Sequence, residues 1–183
     1  MRSVTLVSAG MFAVMRSATL VSAGMFALAL QAGAQSKDDS TYRRVQTRGQ
    51  SVMGVDQYTS RHQFDLLPDG ARISLRAAHD DSAGVVAIRR HFRDIARQFA
   101  RGNFSAPGLV HGRTVPGTTT MAARRTAIAY RTHELPTGAE LWITTEDSTA
   151  LKAIRAFIVF QRSDHRAGGM DSSTHLMHHP AKP

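Results

Sequence analysis

The sequence predicts an α+β domain: a four-stranded antiparallel sheet with two helices packed on one of its faces. Three observations predict it. A Leu-Pro-x-Gly-Ala turn occurs twice, beginning at Leu67 and at Leu135. Apolar residues alternate on both sides of each turn. Each hairpin is then followed by a stretch whose apolar residues recur every third or fourth position. The repeating unit is therefore β-β-α, used in tandem.

The first hairpin places Phe64 and Leu66 before its turn and Ile73, Leu75 and Ala77 after it. The second places Ile128 and Tyr130 before and Leu141 and Ile143 after. In both turns Pro pre-sets the chain direction, and the glycine is expected to take a positive φ. The first helix is capped by Asp81 or Ser82, carries Val85, Ile88, Phe92, Ile95 and Phe99 on one stripe, and stops near Gly102. The second is capped by Asp147 or Ser148, turns Leu151, Ile154, Phe157 and Ile158 inward, and runs toward Gly168. Aligned on their caps, the helices pair Val85 with Leu151, Ile88 with Ile154 and Phe92 with Ile158. A lone hairpin is marginal in water, so both helices are expected to share one sheet face. Burying five large apolar side chains per helix contributes on the order of 8–15 kcal/mol before entropy is subtracted.

Outside this unit the chain changes character. Residues 1–34 read as an export signal written twice: Met1–Val14 and Met15–Leu28 differ only at Val4/Ala18 and Val14/Leu28. Ala32-Gly33-Ala34 fits a small-x-small cleavage site before Gln35, and Met15 is a second possible start. A membrane anchor is the competing reading. Arg16 and several Ser and Thr interrupt the stretch, which falls short of the ~20 apolar residues a spanning helix needs. Residues 35–50 are polar and without period, and are expected to be a flexible lead-in to a domain over 51–168. Residues 169–183 are expected to be a disordered tail rich in Met and His. The localisation implied is periplasmic or secreted, with no stable membrane insertion once the signal is removed.

Composition narrows the chemistry. The 183 residues hold 23 Lys and Arg against 14 Asp and Glu, and no cysteine. Disulfides, thiolate nucleophiles and Cys-type zinc sites are excluded. The cations are almost all Arg, but no basic run carries interleaved aromatics, so nucleic acid is not an expected partner. The dinucleotide, phosphate-loop, His-Glu-x-x-His and Gly-x-Ser-x-Gly templates are all missing. Ser163, Asp164 and His165 look faintly like pieces of a catalytic triad, but neighbours in one helical turn do not face one another.

Histidine remains as the carrier of chemistry. His62 shares a strand face with Phe64, His91 borders the apolar stripe of the first helix, and His165 aligns with Phe99 at the end of the second. Each is either a core histidine satisfied by a carbonyl or carboxylate, or part of a metal or proton-transfer cluster. His111 lies in the Pro/Gly connector 102–121, read as a loop with defined turns, where Met121 is a candidate thioether ligand. His175, Met177, His178 and His179 suit a secondary metal site in the tail. His79 and His133 are given no role. Arg89, Arg93 and Arg97 recur at four-residue spacing, as a solvated face or as an anion-binding one.

Several pieces resemble a family of short exported bacterial proteins of uncharacterised function. They are Gln50–Gln57, the His62-Gln63-Phe64…Asp69-Gly70 hairpin, Ile88–Phe92, the Gly102-Asn103-Phe104-Ser105-x-Pro107…His111…Pro116-Gly117 connector, and Phe160–His165. The resemblance spans roughly 49–169. It implies that His62, His91, His111 and His165 belong together as a set. Some members carry the name aspartate carbamoyltransferase. This chain is far shorter than that catalytic subunit and lacks its Ser-Thr-Arg-Thr phosphate motif.

The function expected is a small metal-binding module holding copper or zinc through His62, His91, His111 and His165. The alternative is a module that binds a small anion or acidic partner on the Arg-rich helix. A third is an enzyme using one of these histidines as general base.

Overall fold

The computed structural model describes residues 39–56 and 58–171, so the expected signal and most of the Met/His tail lie outside the described residues. The chain divides after Asp39, and the second unit, from Ser40 onward, holds the sheet and the helices around it. The elements are α1 (39–53), β1 (Arg61–Leu67), β2 (Gly70–Arg76), α2 (Ser82–Ala100), α3 (Ser105–His111), α4 (Thr118–Ala123), a 3-10 turn (Arg125–Ala127), β3 (Ile128–Leu135), β4 (Gly138–Thr145) and α5 (Ser148–Asp164). The class is α+β, with an open antiparallel sheet in the order β1-β2-β4-β3.

The period of two along each strand sorts the sheet into two faces. Phe64, Ile73, Leu141 and Ile143 belong to the face whose buried side chains join those of α2 and α5 in one core. Gln63, Arg72, Trp142 and His133 alternate onto the other. The helix stripes bury as the 3.6-residue period requires: Ile88, Phe92, Ile95 and Phe99 from α2, and Ile154, Phe157 and Ile158 from α5. Both helices begin at an aspartate cap. Asp81 accepts from the Gly84 N–H, and Asp147 from the Thr149 and Ala150 N–H groups.

The two hairpins meet at the sheet centre, where Ile73 pairs with Leu141. Their turn glycines are needed for a reason other than the one expected. Gly70 and Gly138 are outside the set of positive-φ residues. Each instead opens a central strand so close to its neighbour that a Cβ on Gly70 would run into the Ile143 carbonyl, and one on Gly138 into the Leu75 carbonyl. Close approach of two backbones, not turn geometry, demands the missing side chain.

Three segments differ from their expected form. The lead-in is helical from 39 onward: Val45, Gln46 and Gly49 are buried on one side of α1, and Gly54 (φ 70) ends the helix region. Only one strong apolar residue marks that face before Val52, which is why the polar pattern hid it. The connector is not a plain loop. Gly112 (φ 66) ends α3 and Gly117 (φ 84) begins α4, so the glycines punctuate two short helices. Met121 is fully buried in the core. Finally, the start of the tail runs parallel to β1, with Phe64 and Leu66 donating to the carbonyls of Gly168 and Met170. Arg162 donates to the Phe64 carbonyl and to Asp171, tying this segment down. The remainder of the tail, with His175, Met177, His178 and His179, is outside the described residues.

Candidate functional site

His62, His91, His111 and His165 all line one cleft. They reach it from four elements: the start of β1, the middle of α2, the last residue of α3 and the C-cap of α5. The cleft is small, about 70 Å³ in volume. Apart from the imidazoles and Gln161, its walls are apolar, among them Met53 of α1, Phe92 of α2, Pro107 of α3 and Phe157 of α5. His62 and His165 also border a second, open groove shared with Tyr42, Gln46 and Tyr58.

The rings of His62, His111 and His165 are close. His62 and His165 have centroids 5.0 Å apart and stack at 26°. His111 and His165 are also 5.0 Å apart, edge to face. Two imidazoles bound to one zinc at ~2.0 Å would have centroids about 5 Å apart, a distance these pairs share with simple ring packing. Their directions are not yet so. Among the described residues no group of three or more His, Asp or Glu side chains is arranged to hold a metal ion. His62 and His165 are stacked, and both nitrogens of His111 meet other side chains.

Burial controls the charge of three members. Desolvation, then repulsion by His91, lowers His62 to about 4. Desolvation lowers His91 to about 4 despite the opposing pull of Asp94. Desolvation, then His62 and His111, lowers His165 to about 2. All three are neutral at pH 7 and keep a lone pair. His165 keeps a buried Nδ1 without a hydrogen-bond partner among the described residues, a costly arrangement.

His111 differs. Its side chain is 1% exposed, its Nδ1 contacts Asp164 Oδ2, and its Nε2 lies 2.8 Å from Gln161 Oε1. It belongs to a helix rather than to the loop expected of it. Asp164, which sequence proximity linked to Ser163 and His165, instead meets an imidazole far away in the chain. Gln161 entered the sequence reading only within the Phe160–His165 piece of the resemblance.

The Arg series is engaged within the domain. Arg89 donates to the carbonyls of Leu135 and Gly138 and pairs with Glu134; Arg93 also pairs with Glu134; Arg97 and Arg90 pair with Asp94. An outside anion would have to displace these partners. His79 and His133 are exposed and away from the cleft, His79 beside Asp80 and His133 against Trp142.

No family model, characterised protein or solved structure matches this chain at a significant level. The cleft itself is therefore the guide to function.

Proposed function

We propose that the domain is a small exported metal-binding module that takes copper or zinc on the imidazoles of His62, His91, His111 and His165. One observation carries this reading: four histidines distant in the chain meet at one cleft, and three of them are neutral there. Neutral imidazole is the form that binds zinc and copper, and an apolar surround strengthens such bonds by excluding water. Loading requires the rings of His62 and His165 to turn from stacking to converging.

The test is calorimetric titration of zinc and copper(II) into the full chain with His175, His178 and His179 replaced by Ala, which separates the cleft from the tail. Saturable binding at about one ion per chain is expected, weakened at least tenfold by His62→Ala plus His165→Ala. Binding that disappears with the tail histidines alone would move the site out of the cleft.

The apolar walls favour a second occupant, a small and mostly apolar molecule held by one hydrogen bond to an imidazole. A fluorescent apolar probe displaced by metal would place both in the same cleft. A probe indifferent to His165→Ala would reject this reading.

A further inference from the structure

We infer that Gln161 and Asp164 belong to the same centre, Gln161 as an oxygen ligand and Asp164 as the positioning residue of His111. This rests on the metal reading of the cleft. The α5 residues Gln161, Asp164 and His165 follow at steps of three and one, so the end of the helix turns all three toward His111. Asp164 Oδ2 meets Nδ1 and leaves Nε2 facing Gln161 Oε1 at 2.8 Å. A carboxylate behind one imidazole nitrogen fixes the ring and directs the other nitrogen outward, the arrangement that supports metal-bound histidines in general. Arg113 reaches the other carboxylate oxygen, Oδ1, at 3.4 Å, holding Asp164 from the far side while its guanidinium rests on the Phe160 ring.

The Nε2 and Oε1 atoms stand nearly as two ligands of one ion stand. With bonds of ~2.1 Å at a tetrahedral angle they would be about 3.4 Å apart, so a metal enters by opening the pair by about 0.6 Å. With Nδ1–H donated to Asp164, Nε2 offers the lone pair that a metal would take, and any proton on it would leave to solvent. The unpartnered Nδ1 of buried His165 sits on the neighbouring ring and is the next donor available. Gln161 is 5% exposed and the Asp164 side chain 16%, so neither is spent on the surface. A buried glutamine oxygen and the imidazoles of the cleft make an N/O donor set, which suits zinc or copper(II) better than copper(I).

Zinc and cobalt(II) titrations of the full chain, with the tail histidines replaced by Ala, test the inference. Asp164→Asn and Gln161→Leu should each weaken zinc ten- to a hundredfold. Gln161→Leu should also shift the visible absorption of bound cobalt, and Gln161→Glu should restore or tighten binding. A role in folding alone would leave the cobalt spectrum unchanged. If Gln161→Glu binds as weakly as Gln161→Leu, or if both Asp164→Asn and Gln161→Leu bind like the parent while His165→Ala does not, the centre excludes these residues. If the parent binds neither ion, the metal reading itself falls and takes this inference with it.

Discussion

Single side chains carry the chemistry here, and their protonation has consequences for stability. His62, His91 and His165 titrate at about 4, 4 and 2 in the fold, against 6.5 in the unfolded chain. Below pH 6.5 the unfolded chain takes up protons that the folded one refuses. Stability is thus complete above that pH and declines as the pH falls, by up to ~1.4 kcal/mol per pH unit for each histidine. Calorimetry should show a markedly lower melting temperature at pH 5 than at pH 7, and His165→Phe should make the decline shallower. Equal melting at both values would contradict the burial of these rings. Asp65 acts in a lower window. Burial would raise it, but hydrogen bonds from Gln63, Arg72 and the Met170 N–H outweigh that and hold its carboxyl below the usual range. Its contribution is present at neutral pH and lost in acid. Asp65→Ala leaves Arg72 without its partner and removes one of the bonds that hold the segment beside β1; a loss of about 2–4 kcal/mol in urea unfolding is expected. Three of the four histidines were legible as core-facing from alternation, helical period or alignment. The contacts of His111 with Asp164 and Gln161 were not, because they span 53 and 50 residues and carry no local periodicity.

At the scale of elements, both helix caps and most of each apolar stripe followed from the sequence because their causes are local: a side chain reaching a nearby N–H, and a period of 3.6; Val85 and Leu151, expected inward, are only half-buried. Ile88, fully buried on α2, tests that packing. Ile88→Asp should abolish the cooperative melting seen by circular dichroism, since an unpaired charge in that core costs more than the domain's stability. The turn glycines show where local reasoning stopped. Their requirement comes from a strand of the other hairpin. Gly70→Ala and Gly138→Ala should each cost roughly 3 kcal/mol or more, whereas Gly168→Ala, with open space around it, should cost under ~0.5 kcal/mol. Similar costs at all three positions would overturn the close-approach argument. Helices α1, α3 and α4 escaped notice because two are shorter than two turns and the third hides its buried side behind Gln46 and Gly49. Short helices rest on tertiary packing rather than propensity.

For the whole molecule, the strand order puts β2 and β4 at the centre and β1 and β3 at the edges. The physical preference is visible once the order is known. β3 carries exposed Arg131, His133 and Glu134, a guarded edge, and the edge of β1 is covered by 168–171. Among the described residues no helix is long and apolar enough to cross a membrane. The export reading predicts that protein recovered from the periplasm begins at Gln35 by N-terminal sequencing; an intact Met1 or Met15 there would defeat it. By itself, the sequence determined the α+β class, the helix caps and the inward turn of His62, His91 and His165, because each depends on neighbours a few residues away. Only the tertiary structure decided the strand order, the backbone contacts that require Gly70 and Gly138, and the meeting of His111 with Asp164 and Gln161. Those are set by how the two halves dock, and docking is governed by shape and burial summed over the whole core rather than by any local pattern.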